Sequence, residues 1–254
     1  MISIVIPVYN ASGTLAGTIE SVLTQTYHDY EVILVNDCST DASGNTINDY
    51  ARIYENFHVV SNEKNSGVGY CRNIGIKMAA GEYVAFLDSD DMWEPDKLIK
   101  QISLIEKHPD GLIYYTGSSF VDTKGKKLDT VFKVRENIDY RELLKQNIIS
   151  CSSVVVRKDI IEKHLFSLER NCHEDFACWL SILKDGGEAY GIDEPLLIYR
   201  LQEKSKSSNK IHSAIMNWKT YKISGLNLVE RIRYMSIYAV RSMRKYFGIL
   251  INRE

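Results

Sequence analysis

The first 110 residues alternate short apolar segments with longer amphipathic ones, and this alternation restricts the possible folds more than any other feature. Runs rich in β-branched and aromatic residues predict strands over residues 2–6, 30–35, 57–60 and 82–87. Helices are predicted over 14–26, 43–54 and 68–80, with Gly81 as C-cap of the third, and from Pro95 to about His108. The predicted fold class is therefore α/β, a mostly parallel sheet with helices on both faces.

From residue 112 onward the pattern becomes less regular. Strands are predicted over 112–116, 152–156 and 196–200, a hairpin turn over 123–126, and a helix over 174–184. Shorter and less even elements are suited to a region that shapes a binding site beside the regular first half.

Charge is unevenly distributed, although the formal net charge is only −2. Residues 200–254 carry 12 Lys and Arg against 3 Asp and Glu, a net charge of +9, whereas residues 1–199 carry 19 against 30, a net charge of −11. A basic tail of this kind indicates an anionic partner. A phospholipid surface is favoured over nucleic acid, because the chain shows no nucleic-acid motif and no basic patch interleaved with aromatic residues.

Cysteine spacing and hydropathy indicate the compartment of the protein and its relation to the membrane. None of the five scattered cysteines forms a C-x-x-C pair, so reduced thiols in a cytoplasmic protein are expected. No signal peptide precedes the first strand, and no run approaches the ~18 apolar residues of a membrane span. We therefore expect a chain that is soluble or lies on a membrane without crossing it.

An acidic run, Asp88-Ser89-Asp90-Asp91, follows the fourth predicted strand. The carboxyl ends of parallel strands form the ligand-binding edge of an open sheet. Neighbouring carboxylates resist ionising together unless a cation or donor groups intervene, and Mg²⁺ takes one or two carboxylates plus phosphate oxygens. The alternative is a solvated acidic turn in which Asp91 or Asp96 caps the next helix.

The loops after the other three strands carry polar or aromatic groups as well. Tyr9 offers a face to a base or ribose, and Asp37 could accept the imide N–H of uracil, whereas Ser39 and Asp41 are suited to capping the next helix. One such cluster per loop along one edge predicts a nucleotide site. Its candidate residues are Pro7, Tyr9, Asp37, Asn65, Gly67, Arg72, Asp88 and Ser89.

These loops resemble glycosyltransferase family 2, and the matching segments, which agree in order and spacing, are 3–10, 35–41, 67–75 and 87–91. The resemblance covers residues 1 to about 200. It implies the GT-A fold, with a Rossmann-like nucleotide-binding half, and inverting transfer from a nucleotide-sugar, usually a UDP-sugar. It also implies Mn²⁺ or Mg²⁺ as cofactor, bound by Asp90 and Asp88.

A second motif, His173-Glu174-Asp175-Phe176 followed by Trp179-Leu180, resembles the family's Glu-Asp pair before Trp-Leu, in which the second acid is the base. Inverting transfer needs a carboxylate to take the acceptor hydroxyl proton, so Asp175 is the candidate catalytic residue. Glu174 and His173 are candidates for supporting the acceptor. The alternatives are a helix N-terminal acid for Asp175 and an ordinary surface residue for His173. Trp179 is expected in the core.

Two departures from the family pattern refine these expectations. Some relatives place a metal-binding His near the closing strand, whereas the nearest here is His212, so a third protein ligand is not identified. Processive synthases of the family carry a Gln-x-x-Arg-Trp motif and flanking transmembrane helices, and this chain has neither. A single transfer per acceptor is therefore expected.

Residues 226–254 predict a basic amphipathic helix, whose apolar arc spans about 120°. The arc holds Leu228, Ile232, Met235, Ala239, Met243, Phe247 and Leu250, and Arg231, Arg233, Arg241, Arg244 and Lys245 lie opposite. Such a helix is suited to an anionic membrane surface. The alternative is that the arc docks on the catalytic body or on a second copy, which would give a homodimer.

Together these features predict a glycosyltransferase that adds one sugar to a glycan or polyprenyl-linked glycan at the inner face of the cytoplasmic membrane. Its parts are a nucleotide-sugar-binding half (1–110), an acceptor-binding and catalytic half of the same domain (111–202), and a basic helical extension (203–254). A nucleotidyltransferase would show a Gly-rich phosphate loop with Arg and Lys, which 10–14 lacks. A sugar-nucleotide-binding subunit without catalysis would not need Asp37, Asp88, Asp90 and Asp175 together.

Overall fold

The computed structural model describes the backbone of residues 1–201 and 210–251, and the side chains of 1–201 and 212–241. The strands are β1 (Ile2–Val8), β2 (Tyr30–Asn36), β3 (Phe57–Ser61), β4 (Tyr83–Phe86), β5 (Met92–Trp93), β6 (Ile113–Val121), β7 (Lys127–Phe132), β8 (Asn137–Ile138), β9 (Val155–Arg157) and β10 (Ala189–Arg200). The helices are α1 (Leu15–Leu23), α2 (Ser43–Ile53), α3 (Val68–Met78), α4 (Lys97–Lys107), α5 (Tyr140–Lys145), α6 (Lys158–Ile161), α7 (Glu174–Lys184), α8 (Lys210–Ile223) and α9 (Leu228–Ile251).

The strands of the described residues form one sheet in the order β3-β2-β1-β4-β9-β6-β10-β5, with β7 added to β6 and β8 to β10. From one edge of the sheet inward, the four strands β3, β2, β1 and β4 are parallel. Strands β6 and β10 also pair in parallel. The short strand β9 joins the two groups by pairing antiparallel with β4 and β6. The predicted α/β class is confirmed, and the sheet runs without a break across residue 110.

Apolar side chains fill both faces of the sheet, because successive residues of a strand point to opposite sides. On β1, Val5 belongs to a core covered by α3, α5 and α7, whereas Ile4 and Ile6 belong to a core covered by α1, α2 and α4. Trp179 is fully buried against Phe86, so its predicted place in the core is confirmed. All five cysteines carry free thiols, as expected.

Several predicted boundaries change in the structure. Helix α3 ends earlier than predicted, with Ala79 as its C-cap, so the assignment of Gly81 as the cap is wrong. Gly81 instead permits a close approach, since a Cβ atom there would lie 2.8 Å from the backbone nitrogen of Ser3. Strands β6 and β10 are longer than predicted because they pair with each other, and residues 151–153 form a 3-10 turn before β9.

The C-terminal helices meet at a sharply defined turn. Gly225, at φ +83°, ends α8 with the two hydrogen bonds of a Schellman motif, Leu226 N–H to Tyr221 O and Gly225 N–H to Lys222 O. Asn227 and Glu230 exchange side-chain to backbone hydrogen bonds at the start of α9, which is a capping box. No helix within the described residues has the length and apolar content needed to cross a membrane.

Candidate active site

A cleft of about 1020 Å³ lies at the carboxyl ends of β1, β2 and β4. Its walls come from both halves of the chain, since α3 and the loop after β4 face the start of α7 and the 3-10 turn. All twelve residues singled out from the sequence line this one cleft: Pro7, Tyr9, Asp37, Asn65, Gly67, Arg72, Asp88, Ser89, Asp90, His173, Glu174 and Asp175.

The first wall is the loop at residues 62–67, which Asp37 holds in place. The buried Asp37 carboxylate accepts hydrogen bonds from the Asn62 side chain and from the backbone N–H groups of Ser66 and Gly67, each at 2.8 Å. Gly67 has φ +92°, a conformation that residues with a Cβ rarely adopt. The Cys71 thiol also hydrogen-bonds to Asp37, so this carboxylate ties α3 to the loop at the nucleotide end of the cleft.

Arg72 joins the two halves of the cleft. Only 3% of its side chain is exposed. It donates to Asp88 Oδ1 at 2.6 Å and to Glu174 Oε1 at 3.2 Å, and its guanidinium lies 5.1 Å from the centre of the Phe166 ring. Burial alone would lower the pKa of Arg72, but the carboxylates of Asp88, Glu174 and Asp175 raise it well above its ordinary value. The residue therefore acts as a fixed cation that positions carboxylates from both halves.

Arg72→Met should lower the free energy of unfolding by about 3 kcal/mol, because it leaves two carboxylates without their shared cation. We expect the low end of the range for buried pairs, since Asp88 is one-third exposed and regains water. Urea denaturation at neutral pH measures the loss. The control is Arg52→Met, which removes an exposed pair with Asp49 and should cost about 0.5 kcal/mol or less. Equal losses in both variants would contradict a bridging role.

The acidic run after β4 is not a solvated cap. Asp91 is buried and accepts a hydrogen bond from the Arg200 backbone N–H at 3.1 Å, while Arg200 Nε donates to the Asp90 carbonyl at 3.1 Å. Asp96 stands at the N-cap position of α4 but makes no capping hydrogen bond with its side chain. Burial, followed by the negative charges of Asp88 and Asp90, raises the pKa of Asp91 well above its ordinary value.

Two further contacts hold this loop in its conformation. The Asp88 backbone N–H donates to Ser152 Oγ at 3.1 Å, and Thr14 Oγ1 donates to the Ser89 carbonyl at 2.8 Å. Trp93 Nε1 in turn donates to the Ser152 carbonyl at 2.7 Å. The loop is therefore tied to α1, to the 3-10 turn and, through Arg200, to β10.

The carboxylates of Asp88 and Asp90 fit a divalent cation that is bound together with a phosphorylated ligand. Both residues line the cleft, and their negative charges add to burial in raising the pKa of Asp91. Arg72 donates to Oδ1 of Asp88, and the carboxylate has a second oxygen that a cation could use. Within the described residues, no group of three or more His, Cys, Asp and Glu side chains is arranged for a metal. Mg²⁺ ordinarily completes one or two carboxylates with phosphate oxygens and water.

Asp175 begins the opposite wall, at the first turn of α7. Its Oδ1 accepts the Phe176 backbone N–H at 2.7 Å, which sets the direction of the carboxylate. Burial and the neighbouring charge of Glu174 raise the pKa of Asp175, although Arg72 and His173 oppose the shift. A carboxylate that is partly exposed to a cleft and has a raised pKa is a stronger proton acceptor than an ordinary aspartate.

His173 lies where the cleft meets the C-terminal helices. Its backbone N–H donates to Thr220 Oγ1 of α8 at 3.0 Å, and Met216 of the same helix lines the cleft. Sequence reasoning had assigned α8 only to a basic extension and so missed this wall. Other lining residues that the sequence analysis does not identify include Thr14, Asn147, Ser150 and Cys151; a polar turn before a strand was the available signal for the last two.

This chain is similar in sequence to known glycosyltransferases. The sequence model of the family described as Glycosyl transferase family 2 matches residues 3–165. The chain is 38% identical to the teichuronic acid biosynthesis glycosyltransferase TuaG of Bacillus subtilis, covering 92% of this chain and 90% of TuaG. It is 32% identical to WfaP of Escherichia coli, named as a UDP-Glc:α-D-GlcNAc-diphosphoundecaprenol β-1,3-glucosyltransferase, covering 97% and 95%.

Among solved structures, Staphylococcus aureus TarS 1–349 in complex with UDP-GlcNAc is similar, with a TM-score of 0.73 at 19% identity. The alignment covers 94% of this chain and 71% of that one. A similarity at this level of identity concerns the fold, and it agrees with the GT-A fold expected from the loops.

Proposed function

This chain belongs to glycosyl transferase family 2, and from that premise we propose that it transfers one sugar from a UDP-sugar to a hydroxyl group of a glycan acceptor, with inversion at the anomeric carbon. One observation carries the proposal. Asp175, with its raised pKa, lies in the same cleft as the Asp88-Ser89-Asp90 loop, which supports pairing a proposed base with a proposed diphosphate site. Arg72 binds carboxylates from both walls and so holds their spacing.

In the proposed reaction Asp175 removes the proton of the acceptor hydroxyl group as its oxygen attacks the anomeric carbon. The new glycosidic bond forms on the face opposite the departing diphosphate, the old bond between carbon and phosphate oxygen breaks, and its electron pair leaves with UDP. Asp175 ends the step protonated and returns its proton to solvent. Glu174, held by Arg72, keeps negative charge beside Asp175 and thereby maintains its affinity for the proton.

Asp88 and Asp90 would hold the divalent cation, Mn²⁺ or Mg²⁺, which when bound stabilises the negative charge of the leaving diphosphate. Tyr9, half-exposed at the edge of the cleft, would stack on the base or ribose, and Pro7 lies beside it. Asp37 would accept the uracil imide N–H, and Asn65 and Gly67 line the same end of the cleft. These roles assign the nucleotide to the β1–β3 side and the acceptor to the α7 side.

The acceptor class is proposed from the relatives. TuaG is named for teichuronic acid synthesis, and the name of WfaP gives a sugar on diphosphoundecaprenol as its acceptor. We therefore propose an acceptor in surface polysaccharide synthesis, a glycan or polyprenyl-linked glycan at the inner face of the cytoplasmic membrane. The absence of a Gln-x-x-Arg-Trp motif supports one transfer per acceptor.

A panel of nucleotide-sugars, tested with Mn²⁺ and lipid-linked monosaccharide acceptors, examines the proposal directly. We expect turnover with a UDP-sugar and a product whose anomeric configuration, read by NMR coupling constants, is opposite to that of the donor. Retained configuration would refute the single displacement, because attack from the opposite face cannot give it. Turnover only with donors that lack uridine would refute the assignment of Asp37 and Tyr9.

A further inference from the structure

Helix α9 contacts the body of the protein along one edge. Tyr234 and Met235 pack against the core that α5 and α7 cover, and the Tyr234 ring lies 6.2 Å from that of Tyr221 in α8. On the same edge, the Arg231 guanidinium lies 4.8 Å from the centre of the Trp218 ring, and Arg241 lies 3.8 Å from Glu142. This edge of α9 therefore docks on the catalytic body, which was the alternative considered from the sequence. The edge includes Met235 of the predicted apolar arc.

The opposite edge of α9 is apolar and exposed. Val229 is 76% exposed and Ile232 is 53% exposed, and Leu228 and Val240 are also exposed. Spacings of three, four and eight residues place these side chains on one face of a helix. Four large aliphatic side chains on one face are therefore exposed. The side chains of Met243, Phe247, Leu250, Arg244 and Lys245, which continue the predicted pattern, lie outside the described residues.

Charge and position indicate what covers this face. Residues 200–254 carry a net charge of +9, and the exposed Arg233 follows Ile232 directly. Helix α8, joined to α9 by the Schellman turn, supplies Met216 to the cleft and exposes the neighbouring Ile215. A cationic region with an exposed apolar stripe is complementary to an anionic lipid surface, which attracts basic residues as well as apolar side chains.

We propose that the exposed apolar face of α9, formed by Leu228, Val229, Ile232 and Val240, binds an anionic phospholipid bilayer. The inference rests on the proposed function, since a polyprenyl-linked acceptor lies in a membrane. It adds the contact surface and its consequence: the helix that meets the lipid is joined directly to α8, which contributes Met216 to the acceptor side of the cleft. The inward edge of α9 keeps the catalytic body attached to that surface.

The test uses the full chain and sedimentation with vesicles of phosphatidylcholine, with and without phosphatidylglycerol. We expect binding that increases with the anionic lipid and falls at high salt. Val229→Ser with Ile232→Ser should weaken vesicle binding by at least about tenfold, since both side chains lose their apolar surface. The control Ile53→Ser, at an equally exposed position on α2, should bind vesicles as the unaltered protein does.

Hydrolysis of the donor separates this inference from the proposed function. The double variant should retain its circular dichroism spectrum and its UDP-sugar hydrolysis rate, because neither residue lines the cleft. Unchanged vesicle binding by the double variant would overturn the inference. The inference would also be overturned if the unaltered protein did not bind vesicles and sedimented as a dimer, while the double variant sedimented as a monomer. A second copy of the chain would then cover the face. If the protein bound vesicles but transferred no sugar, the proposed function would be refuted, and the lipid-binding role of the α9 face would still be supported.

Discussion

Asp175→Asn is expected to reduce turnover by about 10²–10⁴-fold, the contribution of a positioned general base. Asparagine has nearly the same shape, and its carbonyl oxygen can still accept the Phe176 N–H that orients residue 175. The variant therefore removes proton affinity and leaves the cleft in place. Steady-state kinetics with saturating donor measure the loss, and calorimetric titration with UDP should show nearly unchanged affinity.

Asp185→Asn is the matched control, since it makes the same chemical change at the exposed far end of α7. Its turnover should equal that of the unaltered protein. If UDP affinity fell in step with turnover in Asp175→Asn, Asp175 would belong to the nucleotide site and the assignment as base would be wrong.

The pH dependence gives a second readout of the same residue. Burial and Glu174 raise the pKa of Asp175, so its base form is lost at a higher pH than for an aspartate with the ordinary value of about 3.9. Turnover should be full above the raised pKa and should fall as the pH drops through it. Glu174→Gln removes the neighbouring negative charge and should move this acid limb to lower pH. If the fall in turnover at low pH occurred at the same pH in Glu174→Gln, the electrostatic coupling between Glu174 and Asp175 would be contradicted.

Asp90→Asn is expected to reduce turnover by about 10³-fold or more, because a lost cation removes several kcal/mol of charge stabilisation from the departing diphosphate. The loop itself should survive, since the Arg200 hydrogen bond to the backbone carbonyl of residue 90 does not depend on its side chain. Turnover at increasing Mn²⁺ concentration measures the effect, and the variant should require far more metal or show no response.

Asp129→Asn, on the exposed strand β7, is the matched control for this change and should keep full turnover and the same metal requirement. Treating the unaltered protein with a chelator should reproduce the loss seen in Asp90→Asn. Full activity of Asp90→Asn in chelator-treated buffer would rule out metal binding at this loop.

Local patterns were sufficient to predict the α/β architecture. Strand and helix periodicities depend on neighbours a few residues apart, so the parallel strands β1–β4 and their helices could be predicted directly. The candidate site followed from the same fact, because parallel strands that alternate with helices end at one edge of the sheet. That is why the loops bearing Asp37, Asp88 and Asp90 meet in one cleft, whereas Asp175 reaches it from the first turn of α7. Their roles in donor, metal and acceptor binding stay predictions.

Boundaries in the second half could not be predicted as well, because distant partners decide them. Strand β10 extends back to Ala189 because it pairs with β6, more than 70 residues earlier in the chain. Gly81 looked like a helix cap from its position, but its lack of a side chain matters for the approach of Ser3. Neither contact leaves a periodic signal in the sequence.

The sequence by itself determined the family, the order of the elements and which polar side chains reach the sheet edge, since these depend on local pattern and motif. Only the tertiary structure decided how those side chains are paired. Arg72 binds Glu174 from 102 residues away, and Arg200 binds the loop of Asp90 and Asp91 from about as far. It also decided which edge of α9 packs on the body and which remains exposed. Such pairings depend on distances between residues far apart in the chain, and those distances exist only once the core has packed.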